Sequence, residues 1–269
     1  MIVIKSEHEL KLMREAGKVC AEIFKGLEDL IKPGISTKDI DDYVEAVTKK
    51  HGMRAAEKGY CGYPASVCTS VNDEVVHGIP SKKRRLQEGD IVSCDLVIEN
   101  KGYMADACRT YPVGTVDDEA KRLMETAEKA FFEGIKYAKV GYRLRDVSKA
   151  VQKTVEDEGF GVIRDFVGHG IGTRLHEDPE VPNFRRRGSS LKLKAGMTIA
   201  IEPMLLIGTE DTKVMKDGWS VSSANKKLTG HFEHSIAVTE DGPMILTLLD
   251  NDEPPVVFNP DHKNRVLKK

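Results

Sequence analysis

Two segments of the chain, 107 residues apart, carry the same pattern. KPGISTKDIDDYVEAVTKKHG begins at Lys32 and KVGYRLRDVSKAVQKTVEDEG at Lys139. Each opens with Lys, places Gly third, Asp eighth, an aliphatic residue ninth and Val thirteenth, and closes with Gly. At the same offset LQEGDIVSCD (86–95) falls on LKAGMTIAIE (193–202), with Leu on Leu, Gly on Gly and Asp95 on Glu202. Two gap-free matches at one offset point to an internal duplication. Such a chain folds as two similar halves related by a pseudo-twofold, each a helix followed by strand. Each half then delivers one carboxylate to one central place. No linker separates the halves, so one domain is expected over 1–250, with 251–269 as a C-terminal tail.

The local pattern is mixed α and β. SEHE at Ser6 is a capping box, and Leu12, Ala16, Val19, Ile23, Leu27 and Leu30 follow at helical spacing until Pro33-Gly34. STKD opens a second helix carrying Ile40, Val44 and Val47 on one face, with Gly52 as its C-terminal cap. A third helix is expected over 118–139 and a fourth over 145–158. Runs 91–98, 103–113, 197–207 and 234–239 read as strands.

Composition narrows the function. The chain has 269 residues, 40% hydrophobic and 31% charged, enough for a large core. A net charge of −2 leaves no global basic field for nucleic-acid readout. No run of 18 apolar residues is present to span a membrane, and the apolar run 1–4 is too short for a signal peptide. Five cysteines without a CxxC suit a reducing compartment, most simply the cytoplasm. The basic end HKNRVLKK reads as a solvated tail.

The chemistry lies in a few acids and histidines. His169 and His176 sit in FVGHGIGTRLHEDPEVP, among glycines that allow close backbone approach; two ordinary loop histidines would fit that stretch as well. IVSCDLVI and YMADACRTYPV flank ENKG, a hairpin with Asn and Gly in the turn. If Ile98 pairs with Tyr103, Asp95 lies directly opposite Asp106, with Cβ atoms about 5 Å apart. Two carboxylates so placed require a shared proton or a cation between them; two unrelated aspartates on a polar sheet edge are the alternative. Glu202 closes the apolar run MTIAIE before Pro203, and Glu233 opens the apolar strand HFEHSIAV. Each alone is compatible with an exposed strand end. Together, four carboxylates and one imidazole suit two divalent ions. A structural zinc would want thiolates or more imidazoles, and calcium would want carbonyls and no histidine. Two ions about 4 Å apart activate water and polarise a carbonyl, which is amide or ester hydrolysis.

The order Asp–Asp–His–Glu–Glu, in SCDLVIENKGYMADACRTYPVG, GHGIG…HEDPEVPNF, TIAIEPM and FEHSIAVTEDG, closely resembles the type I methionine aminopeptidases. The resemblance runs from the first helix to about Leu246. It implies the pita-bread fold: two related α+β halves around a curved antiparallel sheet, with helices on the outer face. Only 30 residues lie between Glu202 and Glu233, too few for the helical insert of type II enzymes.

The resemblance implies removal of the initiator methionine from new polypeptides with a small second residue. It makes Asp95, Asp106, His169, Glu202 and Glu233 ligands of two divalent ions, with cobalt, manganese, iron and zinc all admissible. Glu202 would also take the proton from the attacking water, His176 would hydrogen-bond the scissile carbonyl, and His77 would contact the scissile amide. Tyr60, Tyr63, Cys68, Phe166 and Trp219 would line the methionine pocket, although ordinary core positions would explain the first three equally. The expected partners are nascent polypeptide N-termini, with ribosome contact left open; no membrane is involved, and a monomer is the family default. Four positions depart from common family residues: Cys61 stands for His, Leu175 for Phe, Val97 for Thr and His231 for Gln. The competing assignments are an Xaa-Pro peptidase of the same fold, a pita-bread binding protein without chemistry, and a structural α+β domain with scattered acids. Relatives of the second kind lose ligands, and here all five remain.

Overall fold

The computed structural model describes residues 1–208 and 211–250. The tail expected at 251–269 lies outside the described residues. Four helices are present among them: α1 (Glu7–Leu30), α2 (Thr37–Lys50), α3 (Asp118–Ile135) and α4 (Leu144–Asp157). The strands are β1 (Arg54–Ala55), β2 (Cys68–Val71), β3 (Glu74–Val76), β4 (Ile91–Asn100), β5 (Tyr103–Pro112), β6 (Gly161–Val162), β7 (Gly168–Gly170), β8 (Glu177–Val181), β9 (Thr198–Ile201), β10 (Met204–Leu206), β11 (Thr212–Val214), β12 (Val221–Ser223), β13 (Thr229–His231), β14 (Glu233–Thr239) and β15 (Gly242–Ile245).

Local chemistry sets the helix ends. Ser6 and Ser36 cap α1 and α2 with complete capping boxes to Glu9 and Asp39. Helix α3 stops at Ile135, four residues short of the expected Lys139. There the Tyr137 and Ala138 N–H groups turn back to the carbonyls of Gly134 and Ile135 in tight i→i+3 bonds.

The duplication is physical. Helix α2, moved by 107 positions, falls on α4 residue for residue. The antiparallel bridge Ser36–Arg85 recurs as Arg143–Lys192. The hydrogen bond from Leu86 N to Ile35 O recurs from Leu193 N to Tyr142 O. A sheet of nine strands runs β1-β4-β5-β14-β9-β7-β8, with β2 also on β4 and β15 also on β14. Every pair is antiparallel. In sheet position β14 and β9 repeat β5 and β4, so the two halves meet across the β5·β14 pair.

Apolar residues on one face of this sheet carry the helices. Ile23 and Leu27 of α1 pack with Leu96 and Ile98 of β4. Leu123 and Phe131 of α3 pack with Ile199, Ile201 and Ile236 of β9 and β14. The alternate residues of the same strands point the other way, into the concave face. This is the pita-bread α+β architecture.

One pairing differs from expectation. Asn100, not Ile98, pairs with Tyr103, and the turn is only Lys101-Gly102, both with positive φ (51° and 85°). A two-residue turn of that kind matches the right-handed strand twist, and it draws Glu99 and Asn100 into the ladder. Asp95 therefore faces Cys108, and Asp106 faces Val97. The slip is two residues, one full side-chain period, so Asp106 stays on the same face as Asp95. The run expected at 197–207 is broken at Glu202-Pro203. Strand β9 stays in the main sheet, while β10 joins a three-stranded sheet with β13 and β6. Proline has no N–H for the ladder, and the chain changes sheets there.

Candidate metal centre and active site

The acids meet because strand register puts them in one row. Cys68 pairs with Asp95, Asp95 with Cys108, and Cys108 with Glu233. The β14·β9 ladder pairs His234 with Ile201, so its next step brings Glu233 beside Glu202. Directly paired residues share a face. Asp106 lies two residues along β5 from Cys108, on that face too. Its backbone is pinned by Ser235 Oγ, which accepts from Asp106 N and donates to Asp106 O, both at 2.9 Å.

His169 completes the cluster from β7. Its Nε2 is 3.6 Å from Asp106 Oδ2 and 3.6 Å from Glu202 Oε1. Its Nδ1 lies 2.9 Å from the Gly170 carbonyl. A carbonyl only accepts, so Nδ1 carries the proton and Nε2 turns its lone pair toward the acids, the usual support of a metal-binding imidazole. The neighbouring glycines serve strand packing. A Cβ on Gly168 would lie 2.4 Å from Ala200 O, and one on Gly170 would lie 2.1 Å from Asp178 O. Glycine there lets β7 press against β9 and β8.

Electrostatically the cluster lacks a partner. Asp106, Glu202 and Glu233 are buried, and burial together with repulsion from neighbouring carboxylates, Asp95 among them in each case, holds each carboxyl well above its ordinary range. Burial pushes Asp95 up to about 7, partly offset by a hydrogen bond with Asp106. One oxygen each of Asp95, Asp106, Glu202 and Glu233 is buried without any hydrogen-bond partner. Asp106, His169 and Glu233 offer three ligand atoms within 4.8 Å of one another. Hard oxygen donors and one neutral imidazole, with unpartnered atoms converging, fit divalent cations.

A pH prediction follows. Burial lowers His169 to about 4 and His231 to about 3. Both are therefore neutral, folded or unfolded, above about pH 7.5. The carboxyls are shifted upward, so the metal-free folded protein holds protons that the unfolded chain has released. Stability of the metal-free protein must then fall as pH rises above about 7.5. Melting curves in chelator are expected to show Tm falling from about pH 7.5 to 8.5. Added divalent ion should raise Tm more at pH 8.5 than at pH 7.5, and a flat profile in chelator would contradict this account.

His176 sits beside His169, with ring centroids 4.3 Å apart. Its Nδ1 is 2.8 Å from the Tyr60 hydroxyl. Burial lowers its pKa, so the ring is neutral. The loop before it is anchored by a buried ion pair, Lys5 Nζ to Glu177 Oε2 at 2.5 Å, both side chains 2% exposed. Glu177 Oε1 accepts from Thr173 N and Arg174 N at 2.9 and 3.2 Å. Lys5→Met leaves Glu177 as a buried lone charge, and it should cost about 3–5 kcal/mol in urea unfolding. A loss under about 1 kcal/mol would show that water reaches this pair.

The pocket residues also gather. Tyr63, Ala65 and Cys68 form one apolar cluster with Ile79 and Trp219. The Tyr63 and Trp219 rings meet edge to face at 5.1 Å. His77 bridges to Phe166 at 5.7 Å and to Trp219 at 6.3 Å. It does so from a left-handed backbone (φ 60°), a strained conformation for a residue with a side chain. Tyr60, 39% exposed, forms the rim. Of the four departures, Val97 and Leu175 pack with Ala56 beside the site, Cys61 is exposed, and His231 enters the cluster. Its Nε2 is 3.9 Å from Glu202 Oε2 and 3.7 Å from Glu233 Oε2.

Two neighbours escape sequence reading. Arg109 is half-buried on the helix side of β5. It donates to the carbonyls of Cys108 and Glu233 at 2.9 Å each and stacks on Phe232, 4.1 Å from the ring centroid. It clamps β5 to β14 at the acid row. Glu57 lies against Cys68 and Asp95. One signal for Arg109 was available: a charged residue inside the strand run ADACRTYPV.

A curled sheet of paired halves, with acids and imidazoles converging on its concave face, defines a metal-dependent hydrolase. The sequence pattern of metallopeptidase family M24 matches residues 11–240. The chain is 46% identical to the methionine aminopeptidase of Clostridium acetobutylicum over 250 residues, covering 93% of this chain and all of that one. It is 39% identical to the methionine aminopeptidase of Escherichia coli K12 over 264 residues, 97% of this chain and 99% of that one. The crystal structure of the Thermotoga maritima methionine aminopeptidase superimposes with a TM-score of 0.90 at 44% identity, over 92% of this chain and 100% of that one. The chain belongs to the methionine aminopeptidases of metallopeptidase family M24.

Proposed function

We propose that the protein removes the N-terminal methionine from nascent proteins and peptides whose second residue is small. The observation that carries this is the convergence of four unpartnered buried carboxylate oxygens and the His169 Nε2 on one concave face. Membership of a metallopeptidase family makes divalent ions its cofactor. Our finer assignment is two ions, held by Asp95, Asp106, His169, Glu202 and Glu233, with cobalt, manganese, iron or zinc as candidates. When bound, such ions acidify water and polarise the scissile carbonyl.

The chain's own residues supply the rest of the reaction. Glu202 accepts the proton of the attacking water and passes it to the leaving amine. The Tyr60 hydroxyl donates to His176 Nδ1, which leaves the Nε2–H of a neutral ring to donate to the carbonyl oxygen as charge develops there. His77, held by Phe166 and Trp219, meets the amide at the scissile bond. Tyr63, Cys68, Phe166 and Trp219 form an apolar aromatic slot suited to a thioether, with Tyr60 at its mouth. Among the described residues no helix is long and apolar enough to cross a membrane. Five free cysteines support a reducing compartment, and we assign the cytoplasm. We assign a monomer, and a single catalytic domain over 1–250. The substrate is a nascent chain, at the ribosome or released from it.

The test is a peptide panel with metal analysis. Met-Ala-Ser is expected to lose its methionine. Activity should vanish in chelator and return with Mn²⁺, Fe²⁺ or Co²⁺. Cleavage before proline instead would reassign the enzyme to the Xaa-Pro peptidases. The prolidase of Pyrococcus furiosus shares the fold with a TM-score of 0.73 at 22% identity, and this chain covers 66% of it.

A further inference from the structure

Glu57, Cys68 and Asp95 each offer a ligand atom, and these atoms lie within 4.8 Å of one another. Neither Glu57 nor its neighbour Cys68 has a role in the hydrolysis as a metal ligand. The backbone brings them together. Strand β1 pairs Ala55 with Ile98, and Ala56 N then bonds to Val97 O at 2.8 Å, so the chain carries Glu57 along the edge of β4 toward Asp95. On the same edge β2 sets Cys68 directly opposite Asp95. Glu57 is 7% exposed, and its Oε2 is buried with no hydrogen-bond partner. Asp95 Oδ1 is unpartnered as well. A buried carboxyl oxygen left in this state is costly unless something satisfies it.

We propose that Glu57, Cys68 and Asp95 form an additional site for a thiophilic divalent cation on the wall of the methionine slot, separate from the hydrolytic centre but sharing Asp95 with it. The donor set is one thiolate and two carboxylates. That is three protein ligands with one position left open, the pattern of an open zinc-type site. The spacing agrees. Cys68 Sγ is 3.4 Å from Glu57 Oε1, and bonds of about 2.3 Å to sulfur and 2.1 Å to oxygen at a tetrahedral angle put those atoms about 3.6 Å apart. A thiol ligates as the thiolate, so cation binding displaces the S–H proton to solvent, and occupancy rises with pH. Cys68 shares its cluster with Tyr63 and Trp219. A cation there occupies space the methionine side chain needs, so excess thiophilic metal inhibits. The inhibition rests on the aminopeptidase reading; the site itself does not.

The experiment is an anaerobic Co²⁺ titration of the whole protein, followed by near-ultraviolet thiolate-to-cobalt absorption and by equilibrium dialysis. Wild type is expected to develop the thiolate band. Cys68→Ser should lose the band and one bound ion, and Glu57→Gln, which keeps shape, should move its midpoint at least tenfold higher. Asp106→Asn should keep the band while losing ions of the hydrolytic centre, which separates failure of this site from failure of the enzyme assignment. Free methionine should raise the midpoint by competition. A band that survives in Cys68→Ser, no band in wild type, or an unchanged midpoint in Glu57→Gln overturns the proposal. So does a Glu57→Gln protein altered only in its choice of N-terminal side chain.

Discussion

Asp106→Asn is expected to abolish turnover, with kcat/KM down by at least about a thousandfold, and to lower the content of bound divalent ion. The substitution keeps side-chain shape, and Ser235 still holds the backbone at position 106 on both sides. What it removes is a negative charge and one anionic donor from the cluster with His169 and Glu233. Even loss of a residue that merely supports a ligand costs about 10–100-fold in metal affinity or activity, and a ligand lost directly costs more. The metal-free variant should also be more stable than metal-free wild type at pH 8, because one member of a repelling buried set is gone. Activity on Met-Ala-Ser, metal analysis and melting curves in chelator check the three parts. Full activity with normal metal content would remove Asp106 from the centre.

His176→Ala should lower kcat by about 10²–10³-fold while metal content stays near normal. A preorganised donor to a developing oxyanion is worth about 2.7–4 kcal/mol. His176 is anchored through Tyr60 and is no member of the groups with ligand spacing. Its removal therefore spares the ions and strips the carbonyl of a donor. The Lys5→Met protein offers a comparison, since there the loop that carries His176 loses its anchor while the imidazole remains. A His176→Ala protein that emptied the centre would assign that histidine to the metal instead.

The two histidines of FVGHGIGTRLHEDPEVP show how far residues alone can be read. Their separate settings, His169 against the acids and His176 against Tyr60, follow from β7 and from the loop pinned by Lys5, 172 positions away in the chain. Helices α1, α2 and α4 fell close to their expected bounds, because caps and apolar spacing act within a few residues. The hairpin register differs from expectation by two residues, yet Asp95 and Asp106 still share a face, because the side-chain period in a strand is two. Leu96 and Ile98, buried under α1, and Asp95 beside them on the opposite face obey the same rule. Glu57 carries no such local mark, and Arg109 only its place inside a strand run. An acid in RAAEKGY and a base in ADACRTYPV look like ordinary surface charges until the sheet is assembled.

The sequence by itself determined the twofold repeat, most helix ends and a candidate set of four carboxylates and one imidazole that suits a pair of cations, since each is written in spacing along the chain. Only the tertiary structure decided that Cys68, Asp95, Cys108, Glu233 and Glu202 stand in one row, that Arg109 clamps its middle, and that Glu57 is buried beside it. Those facts depend on which strands pair, and β5 meets β14 across more than a hundred residues of intervening chain. A local pattern specifies which face a side chain takes, whereas the partner strand is chosen by burial of the whole sheet against its helices.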